Sequence, residues 1–162
     1  MRKPANKKPV PRRQKSNEDI RNEGIVLMKN SIKVHMMCEP LLMSYFDGSS
    51  EPSDVNWACY GLQQTIELAL KGLIKYYYED FKEGHFVSDN AEILEEMSSS
   101  IAELREISEV LTELRGKYSV TIMKWESISR YKNIYVAKYQ IEHVASLSEE
   151  LLAFVRRHEY CC

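Results

Sequence analysis

The sequence predicts an all-α protein, an antiparallel helical bundle of about five helices. Three observations predict it. Breaks are few, with 6 glycines and 5 prolines in 162 residues. The long segments between them carry apolar residues at steps of three and four. Capping-type residues stand where those segments begin. Helices of this kind bury their apolar stripes against one another. There is no internal repeat.

The first helix starts near Asn17, with Glu18 and Asp19 in its first turn, where acids suit the positive end of the helix dipole. Ile20, Gly24, Leu27, Ser31, Val34, Cys38, Leu41 and Tyr45 form its seam, and the small residues in it let a second helix approach closely. Pro40 falls inside this seam and is expected to kink or end the helix near Cys38 or Glu39. Residues 47–52 read as a loop. Ser53 then caps a second helix over 54–82, which Gly84 ends. Asp89 with Glu92, and Ser100 with Glu103, have capping-box spacing. They predict helices over 90–97 and 101–115, with Gly116 as C-cap. Tyr118-Ser119-Val120-Thr121-Ile122 has strand composition, but a lone strand would lack a partner, so 117–137 reads as helix with an irregular end. The last helix covers 137–158, with Val144, Leu147, Leu151, Phe154 and His158 as its apolar stripe.

Hydrophobic residues make up 44% and charged residues 28%, as in ordinary globular chains. A net charge of −2 argues against strong general affinity for nucleic acid. The charge is uneven, however. Arg2, Lys3, Lys7, Lys8, Arg12, Arg13 and Lys15 meet no acid before Glu18. With Pro4, Pro9 and Pro11 among them, residues 1–16 are expected to be a disordered basic tail, and 17–160 one helical domain. The tail is either a solvated extension or a grip for RNA or an acidic partner. No apolar run reaches the roughly 18 residues of a membrane span, and no apolar segment follows the basic start as in a secretory signal. Cys38 and Cys59 read as buried thiols, and Cys161-Cys162 as a frayed terminus. No His or Cys spacing suits a metal, no cofactor is expected, and the compartment is read as cytoplasmic.

The segment Gln63-Gln64-Thr65-Ile66-Glu67-Leu68-Ala69-Leu70-Lys71 carries the most information. Leu62, Ile66, Ala69, Leu70 and Leu73 mark a buried face, and Glu67 and Lys71 are neighbours four residues apart. This pattern resembles the signature helix of the HEPN family, Gln-Ala-x-Glu-Lys-x-x-Lys-Ala-Leu. Gly84-His85-Phe86-Val87 keeps the His that follows that helix in the family, and loses its Asp-Leu. Ser129-Arg130-Tyr131-Lys132 keeps three residues of the family's Ser/Ala-Arg-Tyr-Pro element. The resemblance covers roughly residues 17–158. It implies a HEPN-like bundle, similar to the substrate-binding subunits of nucleotidyltransferases, which often dimerises. It also implies a nucleotidyltransferase partner, in a toxin–antitoxin or defence pair.

Active family members are metal-independent ribonucleases with an Arg four to six residues ahead of a His. Such an Arg stabilises phosphate charge while the His moves protons. None of His35, His85, His143 and His158 has that Arg, and the positions after Arg130 read Tyr135-Val136-Ala137. The chain therefore resembles the branch without the motif, and a nucleotide or RNA is the expected ligand, with no DNA specificity. Arg130 is the candidate for a phosphate, since a guanidinium holds two of its oxygens. Tyr131 beside it would stack on a base, and Lys71 and Glu67 would form a polar network beneath. Bland readings stand next to these: a structural Arg130 salt bridge, a packed Tyr131, an intrahelical Glu67–Lys71 pair, a backbone-capping His85. The alternatives for the whole are a ribonuclease with a degenerate site, in which Arg130 acts with Tyr135 or His85, and a pure interaction module. Whichever of Gln63 and Gln64 faces inward is expected to be satisfied across the bundle. Tyr76-Tyr77-Tyr78 cannot share one helix face and suggests a dimer surface. Trp57 and Trp125 are read as core anchors.

Overall fold

A computed structural model of the chain describes residues 15–78, 87–116, 125 and 137–159. The described elements are helical throughout: α1 (Asn17–Asp47), α2 (Pro52–Tyr76), α3 (Val87–Met97), a 3-10 segment (Ala102–Ile107), α4 (Ser108–Arg115) and α5 (Lys138–Glu159). The expected all-α bundle is what the structure shows.

α1 starts where its capping signal lies. The Ser16 hydroxyl accepts from the Asp19 backbone N–H at 3.1 Å, and the Asp19 carboxylate accepts from the Ser16 backbone N–H at 3.1 Å. The Ser16 hydroxyl, which also donates to the Asp19 carboxylate at 2.8 Å, and then the Ser16 backbone N–H hold that carboxyl below its ordinary range. The helix ends at Gly48, whose φ of 82° is a left-handed C-cap. The helix does not end near Pro40 but runs on to Asp47. Pro40 and Met36 both face solvent, so the Met36 carbonyl that loses its partner opens toward water, while buried Cys38 and Leu42 hold the opposite side. The buried seam is Gly24, Met28, Ser31, His35, Cys38 and Leu42. It keeps Gly24, Ser31 and Cys38 of the expected seam and takes Met28, His35 and Leu42 in place of their neighbours Leu27, Val34 and Leu41.

α2 begins earlier than expected. Glu51, not Ser53, is the N-cap, Pro52 occupies the first helical position, and the Glu51 backbone N–H donates to the Asp54 carboxylate at 3.2 Å. The helix closes at Tyr76, with the Tyr77 N–H on the Leu73 carbonyl at 3.2 Å. This is short of the expected 82, and Gly84, read as the stop, lies outside the described residues.

α1 and α2 run antiparallel and touch closely at glycines. A Cβ on Gly24 would lie 2.6 Å from the Gly72 carbonyl oxygen and 2.6 Å from the Tyr76 nitrogen. A Cβ on Gly61 would lie 2.5 Å from that of Cys38. Side chains of any size at these positions would force the backbones apart. Two ion pairs close the open end of this hairpin. Glu23 accepts from Lys75 at 2.6 Å and from Lys15. The Lys15 bond first, then that from Lys75, draws the Glu23 carboxyl from 4.5 to about 2. Because the folded value lies below the unfolded one, this contribution is complete above pH 4.5 and fades as pH falls toward 2. Thermal unfolding followed across that window should lose less stability in Glu23→Gln than in the parent. Glu23 is partly solvated, so the difference is small.

α3 starts at Val87, ahead of the expected 90–97 span, so Asp89 lies inside its first turn. Val87, Asn90, Ala91 and Leu94 form its buried face. The capping box read at Ser100 is absent. The Ser100 hydroxyl donates back to the Met97 carbonyl at 3.2 Å, and the chain enters a 3-10 turn before α4. That turn buries Leu104 and Ile107, and α4 buries Val110, Leu111 and Leu114. Gly116 caps α4 as expected, its N–H on the Thr112 carbonyl at 3.0 Å. α3 and α4 form a second antiparallel pair, joined where the Thr112 hydroxyl donates to Glu95 at 2.8 Å. α5 lies against α2 and α1 and buries every member of its expected stripe. Trp125 is fully enclosed in the core, as expected. The rest of the 117–136 reading lies outside the described residues.

The second tryptophan departs from expectation. Trp57 is 54% exposed, edge-on to Tyr60 at 5.9 Å. It stands near the start of α2, beside Met37 and Leu41 of α1. Cys38 and Cys59 are buried free thiols. Burial lifts the first to about 11 and the second to about 12, which suppresses thiolate chemistry at both.

Candidate functional site

The polar residues of α2 form a ladder along one helix face. Gln63, Glu67 and Lys71 recur every four residues, so their side chains follow one another up the helix. The Gln64 amide donates to the Gln63 side-chain oxygen at 2.7 Å. The Gln63 amide donates to Glu67 Oε2 at 2.7 Å. Lys71 Nζ donates to Glu67 Oε1 at 2.7 Å. Every bond thus runs toward the Glu67 carboxylate. Gln63 is fully buried, and Glu67 is only 4% exposed. The Lys71 side chain is 11% exposed. This is an ion pair removed from water, unlike the solvated i, i+4 pairs of surface helices. Gln63 is the inward glutamine, and its described partners lie along its own helix rather than across the bundle.

A second polar cluster ties the end of α2 to the 3-10 segment and to the end of α5. The Tyr77 hydroxyl lies 2.8 Å from His158 Nε2 and 3.0 Å from Glu103 Oε2. His158 Nδ1 is 3.0 Å from the Phe154 carbonyl, which can only accept, so this nitrogen carries a hydrogen. Burial, reinforced by the Glu103 hydrogen bond, raises the Tyr77 hydroxyl above its ordinary value and keeps it a donor. A hollow of about 340 Å³ opens beside the cluster, lined by Tyr76, Glu103, Glu106, Phe154, Arg157 and His158. Its charges are matched within the chain. Arg157 meets Glu106 at 2.6 Å and lies over the Phe154 ring at 5.0 Å, and Arg21 lies over the Tyr76 ring at 4.4 Å. The cluster therefore reads as a clasp between helix ends.

A family model, the HEPN domain, matches residues 47–158. The chain belongs to the HEPN domain family. Comparison with curated proteins and with solved structures gave no match. The HEPN match begins at the last residue of α1 and ends one residue before the end of α5, so α2 to α4 and nearly all of α5 fall within it and the rest of α1 precedes it. It contains the ladder and the clasp. Among the described residues, no helix is long and apolar enough to cross a membrane.

Of the residues singled out from sequence, the HEPN fold brings Glu67 and Lys71 together as a buried pair. Arg130, Tyr131, Tyr135 and His85 lie outside the described residues. The tyrosine triple divides among faces, as its spacing requires. Tyr76 bonds Arg21, Tyr77 joins the clasp, and Tyr78, at φ 69°, is the exposed one. Sequence reasoning missed the clasp because Tyr77 and His158 are 81 residues apart. It also missed a buried His35 whose Nε2 meets Glu149 of α5 at 2.7 Å. The sequence signal available for both was a histidine on an apolar stripe, which calls for a polar partner once buried.

Proposed function

We propose that this HEPN domain binds the phosphate of a nucleotide or RNA without cleaving it, and works with a partner protein. Arg130 takes the phosphate, Tyr131 stacks on the base, and Glu67 and Lys71 form the polar support. The observation that carries this reading is the buried ladder of α2. Its carboxylate, ammonium and amides are fixed by one another before any ligand arrives. A group held in place loses little conformational freedom on binding, which favours recognition of a small charged ligand. The Arg-to-His pairing that metal-independent cleavage uses is missing from the sequence, so binding without turnover fits best.

The partner in this reading is a nucleotidyltransferase, in a toxin–antitoxin or defence pair, with the HEPN chain itself a homodimer in the cytoplasm. The test uses a labelled RNA oligonucleotide and no divalent metal. Anisotropy should report saturable binding that weakens at least about tenfold in Arg130→Ala, the loss of one charge-assisted contact, while the RNA stays intact on a gel. Cleavage that disappears in Arg130→Ala would replace this reading by a ribonuclease. Equal binding by both proteins would remove Arg130 from the site.

A further inference from the structure

α1 shows solvent a face that the bundle does not use. Met37 is 78% exposed and Met36 and Met43 more than half exposed, with Val26 further along the helix. Across from Met37 stands Trp57 of α2, also mostly exposed. Between the two helices runs a groove of about 360 Å³ whose walls include Val34, Met37, Leu41, Trp57 and Tyr60. Its floor is shallow because Gly61 sits directly against Cys38. Large apolar side chains gathered on one outward face mark an interaction surface. Methionines suit such a surface because they adapt to what lies on them.

Charge identifies the occupant. Lys29 and Lys33 are exposed and stand two and one helical repeats of four residues before Met37, on the ridge of α1 that leads to this groove, and neither has a partner among the described residues. Between Val26 and Met43 the helix carries a single acid, Glu39. A second copy of the chain, in a two-fold dimer, would set this lysine-bearing face against itself. A straight groove between two antiparallel helices accepts a third helix, which anchors in it through apolar residues at i, i+3, i+4 and i+7.

We infer that the α1–α2 groove is the docking site for an amphipathic helix of a different protein, apolar on one face and flanked by carboxylates that meet Lys29 and Lys33. The inference rests on the partner-protein half of the proposed function and is independent of the phosphate half. It also gives a role to α1, which precedes the HEPN match.

The test uses two synthetic amphipathic peptides of about 20 residues, with leucines on one face and glutamates or lysines on the other. Acrylamide quenching of tryptophan fluorescence reads the groove, since Trp57 is accessible and Trp125 is enclosed. The glutamate peptide should shield Trp57, less so at high salt. Met37→Asp should weaken that binding at least about tenfold, as for a central contact, and Lys29→Glu with Lys33→Glu should transfer the preference to the lysine peptide. Both variants should bind RNA as the parent does, which separates failure of the groove from failure of the phosphate site. Equal shielding by both peptides, or by neither, would overturn the inference. So would stronger shielding by anionic vesicles or polyuridine RNA, or shielding that appears with doubled mass when protein concentration alone is raised.

Discussion

Replacing Glu67 with alanine is expected to destabilise the domain by about 3 to 5 kcal/mol, the range for removing one partner of a buried ion pair. Glu67 receives Lys71 on one oxygen and the Gln63 amide on the other. Its removal takes a partner from the Lys71 ammonium and from the Gln63 amide in a region almost closed to water, on a helix whose Ile66, Leu70 and Ile74 are fully buried. Glu67→Gln keeps the shape and one acceptor, so it should lose less than alanine does. Lys71→Met, which removes the charge and keeps an unbranched side chain, should cost less than Glu67→Ala, although it leaves the carboxylate without its ammonium. Urea unfolding of the three variants measures this order. Equal, sub-kcal/mol effects in all three would mean that the pair behaves as a solvated surface pair.

Gly24→Ala is expected to cost about 2 to 3 kcal/mol, in the upper range for overpacking. The direction is informative, because alanine improves an exposed helix position by about 1 kcal/mol over glycine. At Gly24 the new methyl would meet the Gly72 carbonyl and the Tyr76 nitrogen, both backbone atoms, so no rotamer change relieves it. Gly72→Ala meets Met28 Cγ at 2.6 Å and backbone atoms of Gly24 and Met28 at 2.9 Å. The two changes act on the same contact, so the double variant should lose less than their sum. Thermal unfolding decides it. A rise in Tm for Gly24→Ala would show that the helices do not approach as closely as the structure has them.

Local chemistry was legible in the sequence wherever one helix supplied all the parts. Gly24 and Ser31 were readable as the place of close approach, and Glu67 with Lys71 as neighbours, because both follow from helix periodicity. The rest of the seam was not. Leu27, Val34 and Leu41 are as apolar as the buried Met28 and Leu42, and only packing against α2 decides which row turns inward. That the helix runs past Pro40 was not legible, because the effect of a proline depends on which side of the helix it occupies, and that side is set by the bundle. Trp57 was misread for the same reason, since its size suggests a core and its position on α2 turns it outward. His158 was assigned to the right stripe, but its bond to Tyr77 joins the ends of two helices and needs the finished fold. The membership in the HEPN family was legible in three short elements in the right order, and the family match bears it out.

The most direct test of the central claim is thermal unfolding at rising nucleotide or RNA concentration, in the parent and in Arg130→Ala. A ligand that binds only the folded state adds RT ln(1 + [L]/Kd) to its stability, about 2.7 kcal/mol at a hundredfold excess over Kd. A Tm that climbs with concentration in the parent and stays flat in Arg130→Ala is the predicted result. A Tm that no nucleotide and no RNA moves in the parent would contradict it.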